Sequence, residues 1–108
     1  PAAIAAYLNR LEDLNNRMWC CKHLAYLGRN ANWSEAILRR TLRAQAGKLT
    51  SKPNHAIFLE CLNALKGIGA DDPTTLTLLK DYSTGRGLPA NSQKAAEAAD
   101  TALRTLSK

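Results

Sequence analysis

Residues 61–69 read Cys61-Leu62-Asn63-Ala64-Leu65-Lys66-Gly67-Ile68-Gly69, and residues 20–28 read Cys20-Cys21-Lys22-His23-Leu24-Ala25-Tyr26-Leu27-Gly28. Laid over one another, Cys20, Leu24, Leu27 and Gly28 fall on Cys61, Leu65, Ile68 and Gly69 at one constant offset. The matched apolar positions are four and then three residues apart, the spacing of one face of an α-helix. Each stretch closes on Gly, the residue that most often ends a helix. The correspondence continues downstream at the same offset, where Ile37-Leu38 matches Leu78-Leu79. A further copy, at a slightly shorter offset, sets Ala64-Leu65 and Ile68 against Ala102-Leu103 and Leu106. The turns echo one another as well: Gly47, Lys48 and Leu49 resemble Gly85, Arg86 and Leu88. A helical unit that recurs with a fixed period of this size is an internal repeat.

Working outward from these stretches, helical periodicity covers the chain. A first helix is expected from Ala2 to about Glu12, with Ile4, Leu8 and Leu11 on one face. A second runs from Asn16 to Leu27, where Cys20, Leu24 and Leu27 form the stripe beside Trp19 and Ala25, and Gly28 ends it. The third extends from Trp33 to about Ala46, capped by Asn32 or Ser34, with Ile37, Leu38 and Leu42 inward. The fourth, Pro53 to about Ile68, is apolar on more than one face and is therefore expected at the centre. Asp72 suits the N-cap of a fifth helix, with Pro73 at its first position and Leu76, Leu78, Leu79 and Tyr82 inward. After a long turn from Gly85 to Asn91 comes a sixth, Ser92 to about Leu106, with Ala95, Ala99, Ala102, Leu103 and Leu106 on its apolar face. Val is absent and Ile scarce, which also speaks against strands.

The fold expected is all-α: about six antiparallel helices over one domain, residues 1–108. Two helices per unit, at a period of roughly 40 residues, resemble the HEAT repeat family. Leu62-Asn63-Ala64-Leu65-Lys66-Gly67-Ile68-Gly69-Ala70-Asp71-Asp72-Pro73 carries most of the likeness: an Ala-Leu helix end, a Gly-bearing turn, an acidic residue, then Pro. The resemblance spans Arg17 to the C-terminus and implies three HEAT-like helix pairs stacked as an α-solenoid. The turn from Gly85 to Asn91 is longer than a compact repeat of that kind needs. A narrower likeness runs from Ala64 to Lys108, which is similar to the helical domain of large lipid-transfer proteins of the vitellogenin class. It rests on the Gly-containing turn, the Leu88-Pro89 loop and the closing Ala102-Leu103-Arg104 segment, and implies a lipid-handling piece of a larger protein. An opening on Pro1 fits loss of an initiator Met and excision from a longer array equally.

The chain carries a net charge of +6. Between Leu14 and Leu59 the basic residues Arg17, Lys22, Arg29, Arg39, Arg40, Arg43, Lys48 and Lys52 are opposed by Glu35 alone. Asymmetry of this kind points to an acidic partner surface, nucleic acid or anionic lipid, against the plainer reading of a solvated face. Arg39 and Arg43 are one helical turn apart, Arg40 sits beside them, Lys48 and Lys52 continue into the following turn, and Arg86 occupies the matching turn of the next unit. Stacked units would align these six residues as a basic ridge. Glu35 is placed to pair with Arg39 four residues on.

Few residues invite chemistry. Three cysteines do not make a disulfide framework, and this usage is that of a reducing, intracellular or cytoplasmic compartment. Cys20 and His23 share a helix face, and Cys61 holds the equivalent place in the next unit, so a Cys20–His23–Cys61 metal site is conceivable. Cysteine acting as a small buried hydrophobe is the better account. His55 near a helix start is expected to be exposed. Asp71-Asp72 stands where a helix start attracts anions, so capping explains it better than paired carboxylate catalysis. Trp33 is expected to staple a turn and Trp19 to pack beside the core. No nucleophile elbow or phosphate loop is present, no apolar run is long enough to cross a bilayer, and no signal-peptide pattern opens the chain. The expectation is a non-catalytic scaffold or protein-interaction module without metal or cofactor. Its partner would be a protein with an acidic or amphipathic segment, with nucleic-acid binding as the alternative.

Overall fold

The computed structural model describes residues 14–49, 52–90 and 92–107, with side chains described from Cys21 to Leu49 and again from Asn54. The described residues are helical and contain no strand. They form α1 (Leu14–Leu27), a 3₁₀ segment (Gly28–Ser34), α2 (Glu35–Ala46), α3 (Lys52–Ile68), α4 (Pro73–Ser83) and α5 (Gln93–Leu106). The helix expected over Ala2–Glu12 lies outside the described residues.

The helix ends follow from local chemistry. Asp72 has extended backbone, and its Oδ1 accepts the Thr74 N–H at 2.8 Å, with Pro73 at the first helical position. Gly69 adopts φ +68° at the end of α3, and Gly28 adopts φ +63° at the end of α1. Around Gly69 the Ala70 N–H reaches Leu65 O and the Gly69 N–H reaches Lys66 O, both at 3.1 Å. This is the Schellman closure, which needs a left-handed residue at that one place. The two glycines hold equivalent places in the repeat and share the same left-handed backbone.

The start of α2 departs from expectation. The Ser34 hydroxyl donates backward to Ala31 O at 2.6 Å rather than capping forward. A side chain so engaged competes with the cap geometry, and residues 28–34 run as a 3₁₀ turn straight into α2 at Glu35.

α3 is the centre of the molecule. Ile57, Phe58, Cys61, Ala64, Leu65 and Ile68 are fully buried along it, and it packs on α1, α2 and α5. α1 and α3 run parallel: Cys21 meets Cys61, and Ala25 meets Gly67. A Cβ added at Gly67 would sit 2.8 Å from Ala25 O, so only Gly permits this backbone approach. α2 and α4 also run parallel. Glu35 lies against the 71–72 backbone and Arg39 against Thr75.

Leu24, Leu38, Leu42 and Leu79 face inward as expected, together with the Ala95, Ala99 and Ala102 stripe of α5. Leu49 and Leu88, from the two echoing turns, both pack against this core. On α4 the stripe differs from the expected one: Thr75 is fully buried, while Leu76 and Leu78 are half-buried. Phe58 and Tyr82 tie α3 to α4, their ring centroids 5.7 Å apart at 57°. The described residues span 34 × 33 × 18 Å. The short axis accommodates two helix layers at a spacing of about 8–10 Å.

Candidate functional site

The loop joining α3 to α4 is held by three side chains from the preceding elements. Arg29 donates from Nη1 to Gly69 O at 3.0 Å and lies 3.9 Å from the Asp71 carboxylate. Glu35 accepts the Asp71 N–H on Oε1 at 3.2 Å and the Asp72 N–H on Oε2 at 3.1 Å. Arg39 donates from Nη1 to Thr75 Oγ1 at 2.9 Å, 3.6 Å from Asp72 Oδ2. The acid expected to pair with Arg39 along α2 instead reaches across to α4. Two backbone N–H groups at a helix start are a stronger attraction for a carboxylate than an intrahelical arginine. The sequence signal for this role was visible as the lone acid of a basic stretch, but its target was not.

The Asp72 carboxyl is held below its ordinary value of 3.8, first by the Thr74 backbone N–H; desolvation opposes the shift, and the Thr74 side chain and then Arg39 add to it. Burial pushes the Tyr82 hydroxyl above its ordinary 10.0; Arg43 opposes the shift and Asp81 adds to it.

Arg39, Arg40 and Arg43 come together on the outer face of α2. Arg39 and Arg43 form one wall of an open cleft of about 430 Å³; Pro73, Thr74, Thr77, Leu78 and Asp81 of α4 form the other. Arg40 sits beside them, where Ala36, Arg39, Arg40 and Arg43 line a smaller hollow. The Arg39 side chain is only 20% exposed and is committed to Thr75 and Asp72. Arg40 and Arg43 are exposed.

Lys48 is exposed in the turn after α2, and Arg86 in the turn after α4. Because α2 and α4 are parallel, these turns lie at the same end. The Arg86 Nη1 stands 3.9 Å from Asp81 Oδ1, a loose surface pair at the margin of the cleft. The Lys52 side chain lies outside the described residues. The ridge is therefore less uniformly basic than its sequence suggested, with Asp72 and Asp81 set among the arginines.

His55 is half-buried rather than exposed, and Trp33 is 42% exposed. The side chains of Trp19 and Cys20 lie outside the described residues. Cys21 is the α1 cysteine seen against Cys61, and among the described residues no three His, Cys, Asp or Glu side chains gather as a metal site. No helix among the described residues is long and apolar enough to cross a membrane. Comparisons of the chain with protein-family models, with curated proteins and with solved structures find no match.

Proposed function

We propose that this chain is a non-catalytic protein-interaction module. In this reading its helices are HEAT-like pairs, stacked so that each pair seals the apolar flank of the next. Its basic edge, along α2 and the turns that follow α2 and α4, takes an acidic segment of another protein. The observation that carries the reading is the cleft between parallel α2 and α4, with Arg39 and Arg43 on one wall and Arg40 on the adjoining face. Leu78 and Pro73 give the opposite wall apolar surface beside Asp81, which suits a segment that turns its acidic residues to the arginines and its apolar residues to this wall. Burial of Leu24 with Leu65 and of Leu38 with Leu79, pairs at equivalent places in the repeat, supports the stacking. The cross-unit contacts of Arg39 with Thr75 and Asp72 support it too.

The test is binding of a labelled Glu/Leu peptide, titrated at several salt concentrations, to the native chain and to an Arg40→Ala/Arg43→Ala variant. Both arginines are exposed, so the variant is expected to fold. Affinity is expected to fall roughly threefold to tenfold in the variant, from about 0.3–0.7 kcal/mol per surface charge contact. Equal affinity in both proteins would remove the basic edge from the proposal. Tighter binding of single- or double-stranded nucleic acid than of the peptide, with a steep salt slope, would transfer the edge to phosphate recognition.

A further inference from the structure

The Sγ atoms of Cys21 on α1 and Cys61 on α3 are 3.6 Å apart, and both residues are fully buried. The contact is fixed by the backbone rather than by two wandering side chains. Just beyond it, Ala25 and Gly67 bring α1 and α3 so close that no Cβ fits at residue 67. Arg29 then clamps the end of α3 through Gly69 O at 3.0 Å. Sulfur atoms in a disulfide are about 2.05 Å apart, so the pair has to close by roughly 1.5 Å to bond.

The geometry points to Cys21 and Cys61 as a modification site: an oxidisable thiol pair that a peroxide converts into an intrachain disulfide stapling α1 to α3. One thiolate attacks a peroxide oxygen; the O–O bond breaks, water leaves and a sulfenic acid remains. The other sulfur attacks the sulfenic sulfur, the S–O bond breaks, and a second water departs with the last thiol proton. The two thiols supply the two electrons that reduce one peroxide to two waters. Burial makes the reaction slow, at a rate set by local opening of the helix pair. The product closes a loop across two helices and raises stability by restricting the unfolded chain.

The test treats the native chain with hydrogen peroxide, alkylates the remaining thiols, and maps the unreduced digest by mass spectrometry. The expected result is a crosslink lacking two hydrogens, with fragment ions that assign it to Cys21 rather than Cys20. One of the three thiols should stay open to alkylation. The urea midpoint should rise after oxidation and return with dithiothreitol. The Cys20→Ser variant should keep the link, and Cys21→Ser and Cys61→Ser should each lose it. Should either variant fail to fold, the map of the unaltered chain decides alone. A Cys20–Cys61 link, an exclusively intermolecular link, or overoxidation without any link would overturn the assignment.

Discussion

Glu35 Oε2 accepts the backbone N–H of Asp72 at 3.1 Å, so a carboxylate on one helix closes the start of another. Glu35 Oε1 does the same for Asp71 at 3.2 Å, and the residue is only 9% exposed. Hydrogen bonds to a charged acceptor contribute about 1.5–3 kcal/mol each, and a stranded amide costs more than the lost bond. Glu35→Ala is expected to destabilise the chain by about 2–4 kcal/mol, and Glu35→Gln by less, since one acceptor oxygen survives. Urea unfolding of the two variants measures this. Equal and negligible effects would show that the loop between α3 and α4 holds without Glu35.

Acid should weaken the same junction. The Asp72 carboxyl titrates below 3.8 in the folded chain because the Thr74 backbone N–H, followed by the Thr74 side chain and Arg39, favours its charged form over the opposing desolvation. A depressed folded value contributes stability that is present above the unfolded value. That stability is lost as pH falls from about 4 through the folded value. The Asp72→Asn variant keeps an acceptable cap and should show a flatter decline in thermal stability between about pH 4 and pH 2. An unchanged acid limb would assign the decline to other carboxylates.

Two glycines of the same chain should respond in opposite ways to alanine. At Gly67 the new methyl meets the Ala25 carbonyl oxygen at 2.8 Å, and backbone cannot step aside as a flexible side chain would. Gly67→Ala should cost about 1–3 kcal/mol by forcing α1 from α3. Gly47 has φ −79° and ψ −4°, open to any residue, and nothing lies within 4 Å of a Cβ there. Gly47→Ala should stabilise by about 0.4–1 kcal/mol through the unfolded chain. Chemical denaturation of the pair reports both signs.

Gln45 is 1% exposed, and its Oε1 is buried without a hydrogen-bond partner among the described residues. A buried acceptor left unsatisfied costs about 1–3 kcal/mol, and an apolar group of the same shape avoids that cost. Gln45→Met, unbranched and similar in length, is expected to raise stability by about 1 kcal/mol. A fall in the unfolding midpoint would mean that the amide is satisfied by a neighbour in solution.

The amino-acid sequence alone determined what depends on neighbours along the chain. The apolar stripe of α3 and its central position were legible because helical phase is set locally. The Asp72-Pro73 start and the Gly69 stop were legible because caps are read from a few adjacent residues. The gathering of Arg39, Arg40 and Arg43 on one outer face followed from their spacing. Tertiary structure decided which residues meet across helices. It set Cys21 against Cys61, turned Glu35 from Arg39 to the amides of Asp71 and Asp72, and buried Thr75 beneath Arg39. One residue of helix turns a side chain by about 100°. Cross-helix partners therefore depend on a close approach, here Ala25 on Gly67, that no single periodicity encodes.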